Sequence, residues 1–112
     1  MSAFDDAMTL YKEQVTELGL GISDELLTKV AKGLGPSIYN ADSSKVSSAD
    51  PEELARVKNN FLIKKLGLTD SPALDEAIAY AVEKLGSSNR SKYRATFYAL
   101  CVIKLGQEGF YA

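Results

Sequence analysis

The sequence predicts an all-α fold: a compact bundle of about five short helices, the last of them central, with one long loop between helices 2 and 3. Three observations carry this expectation. Apolar residues recur at offsets of three, four and seven, the period of a helix buried along one face. Helix stops recur as Leu-Gly, at Leu18-Gly19, Leu66-Gly67, Leu85-Gly86 and Leu105-Gly106, a glycine after the last turn being the commonest C-terminal cap. Their spacing is irregular, so they mark capping chemistry and not an internal repeat. No segment carries a strand signal.

The first helix places Phe4, Ala7, Met8, Tyr11, Val15 and Leu18 on one stripe, with Asp5 and Asp6 in the first turn, where the helix dipole favours them. Ser23 reads as the N-cap of the second helix, with Ile22 and Leu27 as a hydrophobic staple. Its buried face is Leu26, Leu27, Val30, Ala31 and Leu34, and Gly33, Gly35 and Pro36 end it. Asp50-Pro51-Glu52-Glu53 opens the third helix with an N-cap, a proline at the first helical position and a glutamate at the third. That helix carries Leu54, Val57, Phe61, Leu62, Ile63 and Leu66. Ser71-Pro72 repeats the cap-then-proline device before Leu74, Ala77, Ile78, Ala81, Val82 and Leu85. The last helix is expected from about Arg90 to Leu105 and is apolar nearly all round, which marks a helix surrounded by others.

The chain of 112 residues fits a single helical domain, 1–112. Apolar content of 46% and charged content of 25% are those of an ordinary globular protein, and a net charge of −2 predicts no bulk attraction to nucleic acid. No segment approaches a membrane span, and the acidic start lacks the features of a secretory signal. Cys101, the one cysteine, sits in an apolar run and reads as a small buried hydrophobe. Cytosolic residence is the resulting expectation. There is no histidine, which removes Cys/His zinc sites and the Ser-His and Cys-His nucleophile pairs. An enzyme would have to move protons with carboxylates, lysine or tyrosine, and no cofactor or metal is expected.

The interruption at 33–50 is the first place to look for a site, because long connections in small domains are functional or mobile. Gly35, Pro36, Ser37, Tyr39, Asn40 and Asp42 are its candidate functional residues. Residues 42–53 partly imitate a calcium loop, with Asp42, Asp50 and Glu53 at positions one, nine and twelve. Val46 stands where a ligand is needed and Ser47 where the sharp-turn glycine belongs. Capping alone accounts for Asp50 and Glu53. Gly33-Leu34-Gly35-Pro36-Ser37 matches neither the P-loop nor the dinucleotide fingerprint, and reads as a helix stop whose loop folds back on Ile38 and Tyr39.

Charge is distributed unevenly. Residues 84–104 hold five cations and no acid, while the first 25 residues hold six acids and one lysine. Arg90, Lys92 and Arg94 fall in the first turns of the last helix, where the dipole disfavours cations by about 0.3–1 kcal/mol each. An internal carboxylate (Asp42, Glu53 or the chain terminus) is the favoured compensation, and the expectation is an Asp42 contact with Arg90 or Arg94. The alternative is an external anion held by Lys64, Lys65, Arg90, Lys92 and Arg94, a phosphate-bearing ligand or nucleic acid. Nucleic acid is the minor option, because the patch is small and no reading motif is present. Tyr39, Tyr93, Tyr98 and Tyr111 read as core with a hydrogen-bonded hydroxyl in preference to a binding surface.

Three blocks carry a family resemblance. They are Lys32-Gly33-Leu34-Gly35-Pro36-Ser37-Ile38-Tyr39-Asn40-Ala41-Asp42 with the preceding Leu27-Thr28-Lys29-Val30, then Val57-Lys58-Asn59-Asn60-Phe61-Leu62-Ile63-Lys64-Lys65-Leu66-Gly67-Leu68, and Ser88-Asn89-Arg90-Ser91-Lys92-Tyr93-Arg94-Ala95-Thr96-Phe97-Tyr98. Together they resemble the bacterial family catalogued as domain of unknown function 2853. The resemblance implies a small, helical, cytosolic bacterial protein with no assigned activity, and offers no catalytic or ligand residues. The functional expectation is therefore a non-enzymatic protein that binds an unknown partner or itself, through the 33–50 connection and the basic end of the last helix.

Overall fold

Ser23 begins the second helix as its chemistry dictates: its hydroxyl accepts the Leu26 N–H at 3.1 Å, satisfying one of the donors every helix leaves open at its start. Asp50 does the same for the third, accepting the Glu52 N–H at 2.9 Å. The computed structural model describes residues 3–40, 44–89 and 91–111. Among these run α1 (Ala3–Leu18), α2 (Asp24–Leu34), a 3₁₀ turn (Gly35–Tyr39), α3 (Pro51–Arg56), a π-helix continuing it (Val57–Lys65), α4 (Pro72–Leu85), α5 (Arg94–Lys104) and a last 3₁₀ turn (Glu108–Tyr111). The fold is all-α, with five α-helices and no named strand among the described residues.

α5 is the centre. Every residue from Ala95 to Val102 is buried, and α1, α2 and α4 pack against it. Even its polar members are absorbed: Thr96 Oγ1 donates to Gln14 Oε1 at 2.7 Å, and Gln14 Nε2 donates to the Ser91 carbonyl at 2.6 Å. Buried polar groups must be paired in this way, and the pairing fixes α1 against the start of α5. Cys101 is buried as expected, its Sγ 3.7 Å from the Ala77 carbonyl oxygen.

The Leu-Gly stops behave as capping chemistry requires. Gly67 and Gly86 have φ of 72° and 92°, values that a side chain opposes. Gln14 joins the α1 stripe as a buried residue that the apolar pattern misses, and Leu18 lies exposed at the helix end. Ser71 occupies the N-cap position with extended backbone, but its hydroxyl makes no capping bond; only Pro72 at the first position sets the α4 entry.

Three expectations are corrected. The 33–50 connection is not structureless: residues 35–39 form the 3₁₀ turn, which buries Ile38 but leaves Tyr39 52% exposed, so Ile38 alone anchors it. The last helix starts at Arg94, not Arg90. Residues 91–93 are extended because the returning loop pairs with them, through Val46 N–H to the Lys92 carbonyl (2.8 Å), an antiparallel Lys45–Tyr93 bridge, and Arg94 N–H to the Ser44 carbonyl (2.7 Å). That last bond caps α5, since Tyr93 has no side chain able to do so. The third helix is not one α-helix: beyond Arg56 it widens into nine π residues.

Candidate functional site: the groove at the α-to-π junction

The π-helix follows from its apolar spacing. Val57, Phe61, Leu62 and Leu66 are its buried residues, at offsets of four, five and nine. At α pitch these directions spread over about half the circumference. The i→i+5 bond of a π-helix turns each residue through a smaller angle and gathers them on one side. Leu66 N–H to the Phe61 carbonyl, 3.0 Å, is such a bond. On this inner side Phe61 stacks on Tyr98 with ring centroids 4.0 Å apart, fastening the segment to α5.

The outer side faces a groove of about 640 Å³. One wall is Leu54, Ala55, Lys58 and Asn59, spanning the α-to-π junction; the other is Asp75, Ile78, Ala79 and Val82 of α4; Ser48 and Pro51 line it as well. The second wall has offsets of three, four and seven, the ridge of a helix prepared to receive another. Ala55 and Ala79 are both exposed there, and small side chains let a third helix approach closely.

Lys58 forms the polar edge. Its Nζ sits 2.9 Å from Asp70 Oδ1 and 3.2 Å from Asp75 Oδ1. The hydrogen bonds it donates to Asp70 and then Asp75 hold the ammonium above the ordinary lysine value. The groove thus offers apolar contact, one neutralised cation and carboxylates. Among the described residues no three of His, Cys, Asp or Glu gather as a metal site.

The candidates named from sequence occupy quite different places. Arg94 is 13% exposed and Glu53 15%, and they pair at 2.9 Å; the other Glu53 oxygen binds Arg56 at 3.1 Å. Arg94 also donates to the Tyr98 hydroxyl at 2.8 Å and the Lys45 carbonyl at 3.3 Å. Burial opposes its charge, but Tyr98 and Glu53 more than offset this and hold the guanidinium above its ordinary value. Glu53 is therefore more than a capping residue. Lys92 is 2% exposed, and its Nζ donates to the carbonyls of Ser87 (3.1 Å) and Asn89, just past the end of α4. Burial pushes that ammonium below the usual lysine value, and the α4 C-terminus supplies the negative pole it needs. Lys64 and Lys65 are exposed at the far end of the π-helix. Of the described cations in this set, Lys92 and Arg94 are thus turned inward while Lys64 and Lys65 are exposed.

The loop candidates build the turn. Gly35 caps α2 with its N–H on the Lys32 carbonyl. Pro36 sits in the first 3₁₀ turn, Ser37 Oγ donates to the Leu34 carbonyl at 2.8 Å, and Asn40 accepts the Ser44 N–H at 2.8 Å. Asp42 and Arg90 lie outside the described residues, and the expected Asp42 contact with them. The groove residues Leu54, Ala55, Lys58, Asn59, Asp75, Ala79 and Val82 escaped sequence reasoning as a site. The signal that pointed there was the four-five-nine spacing of Val57, Phe61, Leu62 and Leu66.

Fold and groove together define a small all-α domain with an open interhelical trough beside a π-helix. Residues 10–109 match the family described as protein of unknown function (DUF2853), and the chain belongs to that family. No curated protein matches it. No helix among the described residues is long and apolar enough to cross a membrane.

Proposed function

We propose that this chain is a non-enzymatic protein-interaction module whose groove seats one face of a short amphipathic helix from another protein. The observation that carries it is the coincidence of the groove with the α-to-π junction. π-segments are rare, run mostly to a single turn, and concentrate at functional sites; this one spans Val57–Lys65 and sets the groove wall at Lys58 and Asn59. Two facing walls with exposed alanines, apolar Leu54, Ile78 and Val82 along them, and a polar rim are what helix-in-groove recognition uses. The 33–50 connection contributes through Ser48 at the groove edge. A cytosolic setting agrees with a lone, buried, unpaired cysteine.

Binding of phosphate or nucleic acid has less support. Arg94 is held by Glu53, and Lys92 is enclosed by carbonyls, so two of the five proposed cations have other work.

The test is selection of displayed helical peptides against the protein, counter-selected on an Ala79→Arg variant, with binders mapped by amide and methyl shifts. Enriched sequences should repeat apolar residues at three, four and seven and perturb Ala55, Asn59 and Ala79. Absence of enrichment, or perturbation confined to another face, removes the proposal. A second copy of this chain occupying the groove would show instead as concentration-dependent shifts of the same residues without peptide, and would replace the foreign helix.

A further inference from the structure

We infer that the groove selects a cationic occupant, and that Lys58 is a resident place-holder which an incoming arginine or lysine displaces from Asp70 and Asp75. This rests on the groove reading above and adds the chemistry of the partner: an amphipathic helix with basic residues flanking its apolar face.

The distribution of charge around the groove carries it. Among the described residues Lys58 is the one cation lining the groove, and it is shared between two carboxylates, so that cluster keeps a net negative charge. On the α4 side, Glu76 and Glu83 are exposed, each one residue beyond a lining residue, Asp75 and Val82. Neither has an ion-pair partner among the described residues. On the opposite side Glu52 is exposed next to Pro51, while the nearby Arg56 is already paired with Glu53 and lies 4.0 Å from Asp50. Lys58 and Arg56 are thus committed to carboxylates, while Lys84 and Lys104 lie over the Tyr80 ring beside the lining residue Ala79; the excess of carboxylate is at the Lys58 cluster.

The exchange is physically easy. Asp70 and Asp75 are well exposed, 68% and 64% by side chain, and exposed ion pairs are weak and readily traded for others. An arginine offers each carboxylate two parallel hydrogen bonds where an ammonium offers a point contact. It would also arrive in a trough partly closed by its own helix, where the interaction is less screened. Released Lys58 returns to solvent on a flexible stem. An anionic helix meets the opposite situation, since its charges approach Asp70 and Asp75, whose one cation, Lys58, is already shared between them.

Two synthetic helical peptides test this, identical on the apolar face and flanked by arginines in one and glutamates in the other. Their binding to the full chain is read by fluorescence anisotropy at low and high salt. The arginine peptide should bind at least about tenfold tighter at low salt, with the difference shrinking as salt rises. Asp70→Asn with Asp75→Asn should bring the ratio close to one, and Lys58→Met should tighten the arginine peptide further. Equal binding of both peptides, or preference for the glutamate peptide, overturns charge selection while leaving the groove reading intact if Ala79→Arg still abolishes binding. Binding of neither peptide, or indifference to Ala79→Arg, overturns the groove reading and the selection with it.

Discussion

Arg94 and Glu53, 41 positions apart, close to 2.9 Å with both side chains mostly withdrawn from water. This contact resolves the puzzle of cations at the start of α5. The arginine neutralises a glutamate in the first turn of α3, and so fastens the groove wall to the central helix.

Removing one partner should therefore cost more than an exposed pair does. Glu53→Gln is expected to lower the unfolding free energy by about 2 kcal/mol, less than for a fully buried pair because some water reaches it. Arg56→Ala, at the exposed side of the same glutamate, should change stability by under about 0.5 kcal/mol. Urea denaturation of both variants, with an Arg94→Met double-mutant cycle, checks the coupling; additive effects would contradict it.

Alkaline stability should fall through a defined window. Burial chiefly, with Tyr93 and Tyr39 nearby, raises the Tyr11 phenol from 10.0 to about 12. The folded state thus keeps a proton that the unfolded chain gives up, so the contribution is complete below pH 10 and lost as pH rises toward 12. By pH 11.5 the loss from this group is about 2 kcal/mol. Buried Cys101 and half-buried Tyr111, both raised by burial, act in the same direction. Lys92, lowered by burial, acts oppositely as it sheds its charge. Tyr11→Phe keeps the ring against Tyr93 and should flatten the decline, measured as urea midpoints between about pH 9 and 11.5.

The π-helix can be tested by deletion. Removing Asn60, an exposed residue, changes the spacing of the four buried residues from four, five and nine to three, four and eight, which suits an α-helix. The variant should keep helical circular dichroism and a cooperative melt, while groove-directed peptides bind about tenfold or more weakly, roughly 1.4 kcal/mol. Unchanged peptide affinity would show that the widened backbone does not matter to the groove.

Cys101 should resist thiol reagents in the native protein. It is fully buried, and burial pushes its thiol well above the ordinary range, so neither access nor thiolate is provided. Labelling should proceed at the rate of unfolding and accelerate in urea; rapid native labelling would refute the packing of α5 against Ala77.

Local chemistry was legible in the sequence where it acts locally. Ser23 and Asp50 cap the helices they precede, Gly67 and Gly86 take the backbone that ends them, and the apolar run from Ala95 to Val102 announced the central helix. Residues whose role depends on distant partners were not. Lys92 was missed for a nearer reason: a helix expected from about Arg90 conceals the turn whose Ser87 and Asn89 carbonyls, five and three positions back, enclose the ammonium. Glu53 was legible both as a capping residue and, beside Asp42 and the chain terminus, as a partner for the cations at the start of α5, but nothing local chooses among the three when the arginine lies in another helix. The groove is a space between two helices, and apolar periodicity records what a helix buries, not what it leaves open.

The pairing of residues 44–46 with 92–94 has a kinetic meaning. It closes the intervening chain into a ring, and every residue lining the groove falls inside it. Both groove walls are sequence neighbours joined by a short turn, so they can meet at little loop-closure entropy, whereas the clasp joins positions far apart and must pay for the whole ring. Loosening the clasp should then lower the barrier to opening the ring without redrawing the walls it encloses, which makes occupancy lifetime and groove shape separately adjustable in this chain.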